Sequence, residues 1–225
     1  MTGDISFWLD KNADFTPNKI AIRFEGAEIT YQDFAKKVHS HSRALKHAYG
    51  IGRGDRVAFL GLNHPDLLYL FFACARLGAI FLPLNWRLAG PEHLFIIKDA
   101  TAKILICDTE FEEHGNGLRA ELPDCDFIAS DFEANNWRSL QQDIERAKGD
   151  DSNPHVTMET PFLLVYTSGT TGRPKGAVLT QNAIQTNAFN SIHFSDMTAA
   201  DRILTALPMF HVGGLNIQTT PAFYV

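Results

Sequence analysis

Cysteine is scarce in this sequence: there are three, Cys74, Cys107 and Cys125, and no CxxC pair among them. That spacing offers neither a disulfide framework nor a cysteine-rich zinc site, and it suits a reduced, cytoplasmic compartment. A basic surplus is also lacking. Twenty Lys and Arg residues face 26 Asp and Glu, a formal net charge of -6, so the electrostatic footprint of a general nucleic-acid binder is missing. No apolar run reaches the ~20 residues of a bilayer span. The greasiest stretch, "LLYLFFACA", is broken by Arg76 and then Gly78 and reads as a buried helix. The first residues carry Asp4 where a secretory leader has positive charge, and no apolar core follows, so no leader is expected there.

What is present is an ordinary globular balance, with 45% hydrophobic residues over 225 positions, enough for a sizeable core. The N-terminal third reads as helix, hairpin, helix. "AIRF" and "EIT" flank a turn at Gly26, and Thr30 is placed to cap a helix from Tyr31 with Asp33 near its positive end. Strand and helix then alternate. "RVAFLGL", "AIFLPLN" and "KILICD" are strand candidates. "NHPDLLYLFFACARLG" has Pro65 at its start and Gly78 just past its end, the polarity of a helix, and "GPEHLFIIKDA" is a shorter one. Residues 108–153 are polar and aperiodic, with "RSLQQDIERAKGDDSNP" reading as a surface helix running into a linker. "PFLLVY" and "AVLT" are strands either side of a polar loop, Thr180 is placed to cap the next helix, and "RILTALPMF" reads as a last strand. Alternating strands and helices predict an α/β architecture with a largely parallel sheet.

The loop itself is "YTSGTTGRPKG", residues 166–176. Glycines let amides approach a ligand closely, and successive amides in such a turn form a concave anion site. Thr167, Ser168, Thr170 and Thr171 add hydroxyl donors, Gly169 and Gly172 add freedom, and Lys175 adds a cation held near the loop by Pro174 and Gly176. The order is not the Walker A order, because Arg173 and Pro174 stand between Gly172 and Lys175. On composition alone a phosphate loop and a solvated Ser/Thr/Gly hairpin are equally admissible.

The same eleven residues resemble, without departure, the signature phosphate loop of the AMP-forming adenylating enzymes. "LGAIFLPLNWRL" with Glu92 downstream, and "LPMFHVGG" after the loop, are similar to two further motifs of that family in the expected order. The resemblance implies the large N-terminal domain of an acetyl-CoA-synthetase-like fold, of which residues 1–225 would be the first part. It implies ATP-dependent, AMP-forming activation of a fatty or aryl acid, with Mg²⁺, followed by transfer to coenzyme A. Adenylation of an amino or aryl acid for a carrier protein, or a non-catalytic nucleotide- or partner-binding role, are the alternatives. Thr167, Ser168, Gly169, Thr170, Thr171, Gly172 and Lys175 would hold the β- and γ-phosphates, with Thr170 or Thr171 near the Mg²⁺ shell and no protein metal site. Lys175 and His211 would belong to the catalytic apparatus, His211 beside the acyl carboxylate. Outside that context a lone histidine is more often a core residue bonded to a carbonyl. Arg87 reads as a structural ion-pair partner of Glu92, Phe71 and Phe72 as core, and the other eight histidines as lacking ligand-like pairing. Gly213 and Gly214 either let substrate approach or end a strand. The family's adenine, ribose and adenylation-lysine motifs are expected beyond residue 225, so the chain reads as an N-terminal fragment that makes no acyl-adenylate alone. Its end, "LNIQTTPAFYV", is then expected to be uncovered, with self-association or a homo-oligomer following.

Overall fold

The structure is a computed structural model that describes residues 3–167 and 173–225. Helix α1 (Phe7–Phe15) leads into an antiparallel hairpin, β1 (Ile20–Phe24) and β2 (Ala27–Thr30). Thr30 caps α2 (Tyr31–Arg43), its hydroxyl accepting from the Asp33 amide at 3.1 Å, and a π-helical turn, Ala44–Ala48, continues it. Then come β3 (Arg56–Leu60), α3 (Pro65–Leu77), β4 (Ile80–Pro83), α4 (Gly90–Ala100), β5 (Ile104–Cys107), α5 (Glu112–Arg119), β6 (Asp126–Ala129), β7 (Arg138–Ser139) and α6 (Leu140–Arg146). Strands β8 (Pro161–Thr167) and β9 (Lys175–Thr180) form the second hairpin, and α7 (Gln181–Ser195) follows, capped by Thr180.

Seven strands form one sheet in the order β7-β6-β5-β3-β4-β8-β9, every pair parallel except β8 with β9. The expected α/β class with helices on a mostly parallel sheet is what the chain adopts. Alternation along the strands divides the core. Val57 and Phe59 face one layer, with α1, α2, α3 and α7, whereas Ala58 and Leu60 face the other, with α4 and α5. Helix α3 is the hub of the first layer. Phe71 and Phe72 are fully buried, and Phe71 meets Phe162 of β8 edge-on at 4.6 Å between centroids. Its ends match the sequence reading: Pro65 opens it, and Gly78 closes it at φ 71°, where a side chain would also strike Val156.

Three expectations fail. "RILTALPMF" forms no strand: Leu207 and Met209 give their carbonyl and amide to the side chain of Asn63 instead of a ladder. Residues 147–153 are no free linker, because Asp151 bridges Arg76 (2.9 Å), Arg43 (3.1 Å) and His39 (3.1 Å), and Lys46 holds Asp150 at 2.6 Å. The segment "LNIQTTPAFYV" is mostly covered: Leu215 is 1% and Phe223 5% exposed, with Phe223 stacked edge-on against Phe34 at 5.1 Å. Ile217, at 56%, is the apolar exception. Elements β6 and α5 were not foreseen in the polar stretch.

Candidate active site at the carboxyl edge of the sheet

Because β3, β4, β5 and β8 run parallel, Leu60, Pro83, Cys107 and Thr167 all emerge at one edge. Helix α3 leaves β3 toward one face, whereas α4 and α5 leave β4 and β5 toward the other. The chain therefore parts around β3, and a crevice outside the carboxyl ends is where open α/β sheets bind ligands.

Thr167 ends β8 and Lys175 begins β9, and the two are paired directly across the antiparallel ladder. Both side chains are exposed, and among the described residues Lys175 enters no ion pair. This hairpin neck presents a hydroxyl and an ammonium side by side at the sheet edge. Ser168, Gly169, Thr170, Thr171 and Gly172 lie outside the described residues.

His211 reaches the same edge by a different route. Asp108, at the end of β5, accepts from the Leu62 amide at 2.8 Å and so fixes the turn after β3; burial pushes its carboxyl above the usual range. Asn63, next in that turn, donates to the Leu207 carbonyl (2.9 Å) and accepts from the Met209 amide (2.8 Å). Phe210 then packs edge-on against Trp86 at 6.1 Å, in the loop after β4. His211 follows, exposed, with Nδ1 accepting from the Gly213 amide at 3.0 Å and capping the short turn Val212–Gly214. That bond places the proton of the neutral ring on Nε2. His211 is therefore not a core histidine bonded to a carbonyl.

Arg87 does not pair with Glu92. Its guanidinium stacks over Trp86 at 4.8 Å and Phe210 at 5.9 Å, so it seals the Trp86–Phe210 contact. Glu92 instead accepts from the Ala89 amide at 2.9 Å at the start of α4. Nor do all the other histidines stand alone. His93 is fully buried, and its Nδ1 lies 2.8 Å from Nε2 of His114. The carbonyl of Asn85 can only accept, so His93 Nε2 donates to it at 3.0 Å and Nδ1 takes the His114 proton. Burial lowers the His93 pKa to about 4, which keeps this ring neutral as a prop under the Trp86–Arg87 loop. Asn63, His93, Tyr166 and Trp86 are site-building residues that the motifs did not single out. The Asn, His and Tyr signals depend on partners far along the chain; Trp86 and Tyr166 stood in quoted motifs, which gave neither of them this role.

Sheet, hairpin neck and the His211 segment together define an adenylating-enzyme architecture, and the chain belongs to the AMP-binding enzyme family, whose model matches residues 9–225. It is 47% identical over 221 residues to the indoleacetate–CoA ligase of Aromatoleum aromaticum, covering 97% of this chain and 43% of that protein. A feruloyl-CoA synthase of Amycolatopsis is 34% identical over 214 residues, covering 95% of this chain and 41% of its own length. A solved anthranilate CoA ligase in complex with anthranoyl-AMP superposes with a TM-score of 0.92 at 24% identity, over 99% of this chain and 43% of that one; at this identity the likeness speaks for the fold. The chain thus spans less than half the length of these relatives.

Proposed function

We propose that this chain contributes the phosphate-binding half of an ATP-dependent, AMP-forming acid–CoA ligase. The observation that carries the reading is the β8–β9 neck, which sets Thr167 opposite Lys175 at the carboxyl edge, with residues 168–174 between them in sequence. In the proposed reaction a carboxylate attacks the α-phosphorus of ATP and pyrophosphate leaves; the thiol of coenzyme A, giving up its proton, then attacks the acyl carbon of the acyl-adenylate and AMP leaves. Thr167 and Lys175 would hold the β- and γ-phosphates as they become the leaving group, and Ser168 to Gly172 join them by sequence. Lys175 offsets the charge that develops there. His211, on its separate tether, would orient the acyl carboxylate through Nε2.

Mg²⁺ fits this site as a passenger on the phosphates. Among the described residues no group of three or more His, Cys, Asp or Glu side chains is placed to hold a metal ion. When bound it would supply charge neutralisation on the departing pyrophosphate. The acid is of the fatty or aryl class, and the indoleacetate and feruloyl in the relatives' names favour an aryl acid. Among the described residues no helix is long and apolar enough to cross a membrane. The free, buried Cys74, Cys107 and Cys125 are in keeping with the reducing, cytoplasmic location proposed here.

The test is calorimetric titration of MgATP into the chain and into Lys175→Ala. Losing a charged hydrogen bond should weaken binding by about 1.5–3 kcal/mol, with an unchanged unfolding midpoint. Equal affinity in the two proteins would remove Lys175 from the site.

A further inference from the structure

Tyr166 precedes Thr167 and stands directly opposite Gly176 in the β8–β9 ladder. Its ring lies across Gly176: a Cβ on that glycine would come within 3.1 Å of the Tyr166 ring and 2.8 Å of Leu164. Gly176 sits in ordinary strand backbone, not in the left-handed region, so the missing side chain serves space and not backbone conformation. The ring passes over the glycine toward α4, where the hydroxyl donates to Asp99 Oδ2 at 2.6 Å. Burial and this carboxylate raise the Tyr166 pKa, so the phenol stays a donor. Three residues from three elements thus fasten the neck: a ring from β8, a glycine on β9 that makes room for it and an acceptor on α4.

We propose that Asp99 is a positioning residue for the phosphate site, acting through Tyr166 over Gly176 to fix the hairpin neck that presents Thr167 and Lys175. This rests on the reading of that neck as a phosphate binder. Asp99 itself touches no phosphate. Its negative charge would, if anything, repel one. The two effects therefore have opposite signs, and substitution separates them.

Asp99→Ala removes both charge and acceptor. Asp99→Asn removes the charge and keeps an acceptor for the Tyr166 hydroxyl. Tyr166→Phe keeps the ring over Gly176 and removes the donor. Amide hydrogen exchange, followed by NMR on the whole chain, reads the neck directly. Loss of one charge-assisted hydrogen bond should speed exchange of the Thr167 and Lys175 amides by about tenfold in Asp99→Ala and in Tyr166→Phe. Exchange at Leu163 and Leu179, further down the same ladder, should not change. Asp99→Asn should match the unmodified chain, and the Asp99→Ala/Tyr166→Phe double variant should exchange no faster than either single one. Titration with inorganic pyrophosphate reads the consequence: several-fold weaker binding in Asp99→Ala, and equal or tighter binding in Asp99→Asn. Unchanged exchange at the neck, or faster exchange spread evenly along the chain, would overturn the proposal. So would tighter pyrophosphate binding in Asp99→Ala, the result expected from charge alone. If the unmodified chain binds no pyrophosphate, the functional reading fails, and the exchange data still decide whether Asp99 holds the neck.

Discussion

Asn63 commits both ends of one amide to backbone 144 residues away and beyond. Few side chains can do this, since it takes a donor and an acceptor side by side in one plane. Replacing it with Ala leaves the Leu207 carbonyl and the Met209 amide to find water, at a cost of about 1–2 kcal/mol. The Asn63→Asp substitution would not repair the loss, because a carboxylate can take the Met209 amide but sets its other oxygen against the Leu207 carbonyl. Urea unfolding of Asn63→Ala and Asn63→Asp, with exchange at the Met209 amide as the local probe, should show both variants loosened; an Asn63→Asp variant as tight as the parent would contradict the two-bond clamp. The two glycines after His211 part company on similar grounds. A Cβ on Gly214 would sit 2.2 Å from the Pro208 carbonyl oxygen, a backbone atom with no freedom to yield, whereas one on Gly213 meets the His211 ring at 3.1 Å. Gly214→Ala should therefore destabilise the protein by about 1–3 kcal/mol. Gly213→Ala should cost less stability and instead displace the ring, visible as a shift of the His211 resonances. Neither glycine ends a strand: they form a helical turn that His211 caps.

At the scale of elements, what could be read in advance depended on whether an element carries its own punctuation. Helix α3 announced itself, with Pro65 at one end, Gly78 at the other and apolar residues between. So did α2 and α7, each opened by a threonine that caps it. Helix α5 had no such marks: "EEHGNGLR" holds two glycines and only one residue of a buried apolar type, Leu118. Gly115 is there because Trp137 fills the space a side chain would need, a tertiary reason invisible along the chain. The segment after Asp201 misled in the other direction. Its apolar residues suggested a strand, but Leu204 is 87% exposed and its neighbours answer to Asn63. The candidate site divides in the same way. The Ser/Thr/Gly loop and His211, the residues proposed for the site, could be singled out because their residue types are concentrated in short motifs. Asp99, His93 and Asn63 were not, because each acts on a partner that only the fold brings near.

For the whole molecule, acid is the condition that the buried histidines make dangerous. His41 and His93 are both held neutral by burial, with pKa values below the ordinary 6.5, His93 at about 4. In the unfolded chain they take up protons as the pH drops below about 6.5, and in the folded protein they do not. Stability should therefore fall between about pH 6.5 and pH 4, by on the order of 3 kcal/mol from His93 at full extent. Urea midpoints at pH 7.5 and pH 5 should show the loss, and a His93→Gln variant should show a shallower one. An equal slope in both proteins would rule His93 out as a source. The long reach of α1 has a different consequence, one of timing. Ile5 donates its amide to Gln181 at 2.8 Å, Asn12 donates to the Phe223 carbonyl at 3.0 Å, and Trp8 meets Tyr224 edge-on at 5.4 Å. Helix α1 and the residues just before it thus close on partners 176 and 211 positions further along the chain. At roughly 5–20 residues per second α1 waits on the order of ten seconds or more for its partners. Through that interval its apolar face is open to chaperones and proteases, so a pulse of protease during synthesis should cut near Trp8 in nascent chains and spare it in finished ones.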